Sequence, residues 1–151
     1  MCRVEWHFWN QIRKISGLCL KLKVKYAKPK YGLNQNEERK TKIILSVKTY
    51  NKRYDVLPEM LKSLVLQTVK PDKIIVWLDD KCGDNLATKD MMEYEKYGVS
   101  FRYTSLDIKP HGKYLYAMQE YPDDIIITVD DDLIYPSNLI ERLLKNHETY
   151  Q

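Results

Sequence analysis

The chain has 151 residues, 44% hydrophobic and 30% charged, with a formal net charge of +4. That is enough apolar material for one globular domain with a core, and it excludes a generally disordered chain. Cys2, Cys19 and Cys82 have no metal-ligand spacing and cannot all pair within one chain, so free thiols in a reducing cytosol are expected.

The charge is unevenly spread. Residues 1–42 hold eleven Lys and Arg against three Asp and Glu, which leaves fourteen against eighteen in the remainder. Residues 1–41 read as a basic aromatic arm, with Trp6, Trp9, Ile12 and Ile15 near helical spacing and Arg13 and Lys14 beside them. Such a segment suits the surface of an anionic membrane, at the inner face in a cytoplasmic protein. The alternative is an extension that packs on the domain or on a partner. No apolar run approaches the ~20 residues that span a bilayer, and Trp and His near the start resemble no secretory signal. No RNA- or DNA-binding module is recognisable, so nucleic acid is not an expected partner.

Residues 42–151 form the second unit, where strand-like and helix-like runs alternate. "KIILSV" (42–47), "KIIVWL" (73–78), "VSFRY" (99–103) and "DIIITV" (124–129) are short, β-branched and bounded by turn residues. Helical patterns occupy 56–68, 87–98, 112–122 and 136–148, the last with Pro136 expected near its first turn. This βαβαβαβα order predicts an α/β fold: a mostly parallel sheet with helices on both faces. Trp77, near the end of an apolar strand, is expected in the core.

Open sheets of this kind bind ligands beyond the carboxyl ends of their strands. Those ends carry Lys48, Arg53, Asp79, Asp80, His111 and Lys113, and "TVDDDLIYP" (128–136) places three aspartates after the last strand. In extended backbone Asp130 and Asp132 point to one side and Asp131 to the other. Two carboxylates that close repel, and a divalent ion with a preference for hard oxygen removes the cost. Mg²⁺ and Mn²⁺ take one or two protein carboxylates and fill their remaining positions with water and phosphate oxygens. A competing use of the triplet is to cap the following helix.

The succession "SVKTYNKR", "LVLQTVKPDKIIVWL" and "DIKPHGKYLYAMQEYPDDIIITVDDDLIYP" resembles nucleotide-sugar-dependent glycosyltransferases of the GT-A fold. More narrowly, it is similar to the bacterial glycosyltransferases of capsule and lipopolysaccharide synthesis, over about residues 42–148. A lone D-x-D is weak; the ordered longer segments carry the likeness. The resemblance implies a Rossmann-like nucleotide-binding half that transfers a sugar from a nucleoside-diphosphate sugar, a UDP-sugar first of all, to a hydroxyl of a saccharide or lipid-linked acceptor.

By the same resemblance Asp132 binds Mn²⁺ or Mg²⁺ directly, Asp130 contacts the metal or the ribose, and Asp131 supports them. Thr49 and Tyr50 match the loop that holds the nucleoside, with Arg53 beyond it. Asp79 or Asp80 accepts from the base. His111 and Lys113 match the P-H-x-K segment, and Lys113 is a diphosphate neighbour. Lys48 departs from the pattern, standing where many relatives have a small residue or proline. No catalytic base is identified: in this fold it usually follows the D-x-D motif, and only nineteen residues follow Asp132. The expectation is therefore a donor-binding half, incomplete at its C-terminus. A non-catalytic nucleotide-sugar-binding module that needs a partner chain is the alternative. A sugar nucleotidyltransferase ranks last, because its Gly-rich start is replaced by "KTYNKR".

Overall fold

The computed structural model describes residues 3–35, 38–79, 86–104 and 111–149, with side chains from residue 14 onward. Its elements are α1 (Arg3–Tyr26), β1 (Ile43–Lys48), α2 (Leu57–Val65), β2 (Lys73–Leu78), α3 (Lys89–Met92), β3 (Val99–Tyr103), α4 (Gly112–Glu120), β4 (Ile125–Val129) and α5 (Leu139–Thr149). The strands form one sheet in the order β3-β2-β1-β4, and every pair is parallel. Because the side-chain period of a strand is two, each strand feeds both faces. Ile43, Leu45, Val47, Ile74, Val76 and Leu78 pack with Leu57, Leu61 and Leu64 of α2, Met91 of α3 and Ile140 of α5. On the other face Ile44, Ile75 and Trp77 pack with Ala117 of α4. The continuous apolar runs in β1 and β2 thus reflect burial from two sides, the pattern of a parallel sheet covered by helices.

Local chemistry fixes the helix ends, and two differ from the sequence expectation. The run expected as a helix over 87–98 is α-helical only at Lys89–Met92 and continues as a 3₁₀ turn, Glu93–Tyr97. Residues three apart align along a 3₁₀ turn, and here Tyr94 and Tyr97 both lie against the core, their ring centroids 6.1 Å apart. Gly98 ends the turn in the left-handed region at φ 90°, where any other residue is strained; a Cβ there would also strike Leu33. The last helix starts at Leu139, three residues after Pro136, whose carbonyl accepts the Leu139 N–H at 3.1 Å.

Two buried or half-buried polar groups tie the layers together. Asp72 accepts the Ile43 N–H at 2.8 Å, Asn34 Nδ2 at 2.9 Å and Arg39 at 3.1 Å. Burial pushes its carboxyl up, but the bonds from Asn34, Ile43 and Arg39 outweigh it and hold it below the ordinary carboxylate range. Gln67, 1% exposed, donates to the carbonyls of Ser63 (3.1 Å) and Pro136 (2.8 Å) and accepts the Ile140 N–H (3.2 Å). It joins the end of α2 to the start of α5.

α1 lies against α2. Val24 is buried, and Lys62 of α2 donates to the Lys25 carbonyl at 2.6 Å. Gly17, Leu20 and Val24 recur at helical spacing on one face. Ile15, Leu18, Leu22 and Tyr26 recur on the opposite face, and Ile15 and Leu18 are 62% and 60% exposed. Cys19 is an exposed free thiol. The expectations for Trp6, Trp9, Ile12 and Arg13 concern side chains outside the described residues, as do those for Cys2 and Cys82.

Candidate active site

Four parallel strands bring their carboxyl ends to one edge of the sheet. From β1 the sequence of strands runs outward through β2 to β3 on one side and reaches β4 on the other, so the topology switches between β1 and β4. Crevices for ligands form at such switch points. The residues after β1 and β4 meet there. Arg53, in the 3₁₀ turn Asn51–Arg53, donates to Asp131 Oδ1 at 2.5 Å and pairs with Asp132 Oδ2 at 2.9 Å. Its Nε donates to the Tyr50 hydroxyl at 3.3 Å, and its guanidinium lies 5.4 Å from the Tyr50 ring centroid. Bonds to Tyr50 and Asp131, with the Asp132 charge, raise the guanidinium further above its ordinary value, so it stays charged.

The triplet departs from the expected alternation. Extended backbone ends at Val129, and Asp131 and Asp132 form a turn. Asp131, 5% exposed, and the exposed Asp132 therefore share Arg53. Asp130 goes to a different cation, Lys113 Nζ at 2.6 Å. The Asp130 N–H donates to the Tyr135 hydroxyl at 2.7 Å, and the Tyr135 N–H to Ser63 Oγ at 3.1 Å. Burial pushes the Tyr135 phenol up, with the nearby aspartates adding to it, so the hydroxyl stays neutral and accepts that bond. The repulsion among the three carboxylates is thus met by Arg53 and Lys113. The triplet does not cap α5, whose Ile140 N–H goes to Gln67.

On the α4 face of the sheet, Ser46 Oγ donates to the Lys113 carbonyl and accepts Trp77 Nε1–H at 2.9 Å. This pins the start of α4, and with it Lys113, against β1 and β2. Lys48, on the same face, pairs with Asp79 and reaches Thr104 Oγ1 at 3.3 Å. Thr49 is 1% exposed; its N–H donates to the Trp77 carbonyl at 3.1 Å, while its hydroxyl has no partner among the described residues. His111 is exposed, and its Nδ1 is hydrogen-bonded with the Tyr114 hydroxyl, 2.8 Å away. Asp80 lies outside the described residues.

The sites named from sequence thus fall into two clusters, Tyr50, Arg53, Lys113 and the triplet in one, Lys48 and Asp79 in the other. Ser46, Tyr135 and Thr104 were missed. Nothing in their spacing marks Ser46 and Thr104, whose partners lie far away in sequence, while Tyr135 acts on Asp130 five residues before it through a turn that spacing does not reveal. Gln67 left a signal: a long polar side chain on the core-facing side of a helical pattern.

Two residues here could hold Mg²⁺ or Mn²⁺. Asp130 and Asp132, on either side of Asp131, are exposed carboxylates of the hard-oxygen kind these ions take. Among the described residues no three His, Cys, Asp or Glu side chains converge on a metal position. One or two carboxylates suffice for these ions, which keep water and substrate phosphate as their other ligands.

A parallel four-stranded sheet flanked by helices is an α/β fold of the Rossmann-like kind. A family profile described as Glycosyl transferase family 2 matches residues 45–151, and the chain belongs to that family. It is a glycosyltransferase, and its reaction moves a sugar from a nucleotide-sugar donor to an acceptor, releasing the nucleotide. Members of the family are often dependent on a divalent metal. No curated protein matches the sequence. No helix among the described residues is long and apolar enough to cross a membrane.

Proposed function

We propose that the chain binds a nucleoside-diphosphate sugar, a UDP-sugar first of all, at the β1/β4 switch point, and transfers the sugar to an acceptor hydroxyl in surface polysaccharide or lipopolysaccharide synthesis. The observation that carries this reading is the family match over residues 45–151 together with two exposed carboxylates, Asp130 and Asp132, that follow β4 with Lys113 and Arg53 beside them. Asp132 and Asp130 would hold Mn²⁺ or Mg²⁺, which when bound supplies Lewis-acid stabilisation of the departing diphosphate. Arg53 and Lys113 add fixed positive charge beside that position, and Asp131 keeps Arg53 in place.

The nucleoside end is served by Thr49, Tyr50 and Asp79. A buried hydroxyl without a partner costs about 1–3 kcal/mol, and a donor group reaching Thr49 would relieve it. Asp79, paired with the Lys48 ammonium, is an acceptor only. Uracil N3–H, guanine N1–H and the cytosine N4 amino group all offer a donor to such a group, so this carboxylate can accept from any of the three bases. Titration with UDP-, GDP- and CMP-sugars, with and without Mn²⁺, is expected to show metal-strengthened binding of a nucleoside-diphosphate sugar. Binding indifferent to metal, or none, removes the proposal, and turnover of the bound donor separates an enzyme from a binding module.

Residues 1–41 act as an arm that rests on an anionic membrane surface. Ile15, Leu18, Leu22 and Tyr26 form an exposed stripe, and the exposed Lys14, Lys21, Lys23 and Lys25 lie along the same helix. Apolar side chains enter the interface while each lysine near anionic lipid adds about 1 kcal/mol. Leu18→Glu with Leu22→Glu is expected to lower partition into phosphatidylserine-containing vesicles by roughly tenfold or more, because two exposed leucines that would enter the lipid interface are lost. Equal partition of the double variant in a vesicle sedimentation assay rejects the arm's role.

A further inference from the structure

Three neighbouring strands each contribute one residue to a polar cluster at their carboxyl ends: Lys48 closes β1, Asp79 follows β2 and Thr104 follows β3. The Lys48 side chain is 7% exposed, and a buried ammonium is costly unless its N–H groups are paired. One N–H goes to Asp79 Oδ1 and one to Thr104 Oγ1, 3.3 Å away. The Thr104 hydroxyl donates its own hydrogen to the Leu78 carbonyl at 3.0 Å, so toward Lys48 it acts as acceptor. An ammonium carries three donors, and the third has no partner among the described residues. Asp79 is the open half of the pair. Its side chain is 35% exposed, and its Oδ2 has no partner among the described residues. The cluster therefore offers one acceptor beside one donor.

We propose that Lys48 selects the base of the donor: by holding Oδ1 it leaves Asp79 a single accepting oxygen, which suits a pyrimidine and penalises guanine. The inference rests on the reading of Asp79 as the acceptor for the base, and adds the residue that narrows its choice. Uracil presents one donor, N3–H, between two carbonyls, and cytosine presents its N4 amino group beside the N3 acceptor. Either base gives its donor to Oδ2 and offers the adjoining acceptor to the third Lys48 N–H. Guanine presents two donors side by side, N1–H and the N2 amino group. A carboxylate serves both only with both oxygens, in the bidentate manner. With Oδ1 held by Lys48, N2 loses its acceptor. A donor left unpaired in a site built for hydrogen bonding is a strong source of discrimination between ligands. Lys48 is thus a positioning residue, acting on guanine through Asp79.

Calorimetric titration of the full chain with UDP, CDP and GDP in the presence of Mn²⁺ tests this. Wild type is expected to bind UDP and CDP about tenfold or more tightly than GDP, the discrimination that one unmet hydrogen bond gives. Lys48→Met keeps the reach of the side chain without its charge and frees Oδ1. It is expected to bind GDP more tightly than wild type does and UDP less tightly, so that the ratio of the two affinities falls by about tenfold. Damage to the fold weakens both nucleotides alike and leaves the ratio unmoved; Lys48→Leu is the second variant should circular dichroism show the first disturbed. A ratio unchanged by the substitution, or a wild type that prefers GDP or treats the three alike, overturns the role of Lys48. Lys48→Met with Asp79→Ala removes both charges, so neither is left buried alone, and is expected to weaken UDP and CDP by about tenfold or more. Wild-type affinities in that double variant overturn Asp79 as the acceptor for the base, and no binding of any nucleotide by wild type overturns the transfer reading, so each failure is distinct.

Discussion

Asp132→Ala is expected to abolish the metal-dependent part of UDP binding while leaving the fold intact. Asp132 is exposed, and its described pairing is with Arg53. Its removal leaves Arg53 attached to the buried Asp131, so the turn keeps its internal support. A divalent ion held by the proposed pair, in contrast, would lose one of its two protein oxygens. We expect UDP affinity in the presence of Mn²⁺ to fall by about 100-fold, a loss of roughly 2.7 kcal/mol, to the level seen without metal. Calorimetric titration with and without Mn²⁺, alongside circular dichroism, measures both parts. Affinity unchanged by the substitution defeats the assignment of this carboxylate.

Gln67→Leu has the opposite profile, a folded-state cost far from the crevice. The side chain is fully buried and serves three backbone groups on two elements. Leucine matches its bulk but leaves the Ile140 N–H and the Pro136 carbonyl without these partners. Orphaned buried groups cost about 1–3 kcal/mol each, which for the two gives a loss of about 2–6 kcal/mol. For a domain of this size that lowers the melting temperature by about 5–20 °C. Because Pro136 and Ile140 bracket the connection from the acidic turn to α5, the same substitution loosens the support of Tyr135 and the triplet. A thermal melt indistinguishable from wild type would show that water replaces the amide.

These two residues also illustrate what the sequence reveals. Strand positions were legible almost to the residue, because Ile, Val and Leu runs such as "KIIVWL" are buried from both faces and can form little else in a chain with helical patterns between them. Helix ends were less so: Tyr94 and Tyr97 draw their segment into a 3₁₀ turn by packing on the core, a tertiary effect that local spacing does not encode. The candidate site was legible as a set of residue types at strand ends. Its pairings were not. Arg53 and Asp131 are 78 positions apart, and the alternation expected for Asp130, Asp131 and Asp132 failed because the backbone turns once the strand stops at Val129. The divalent ion was inferred to relieve a repulsion that Arg53 and Lys113 already reduce, so the case for metal now rests on family membership and on the exposed carboxylates rather than on unbalanced charge.

The order β3-β2-β1-β4 gives the two sides of the crevice different mechanical properties. β1 is held by a neighbour on each flank, whereas β4 has one described neighbour. Thr49 and Tyr50 leave a strand clamped from both sides, and the acidic turn leaves one clamped from a single side. Opening of a marginal strand takes less free energy than opening of a central one. A nucleoside bound there would therefore meet the more firmly held side of the crevice, and a diphosphate that gains negative charge as the sugar departs the less firmly held one.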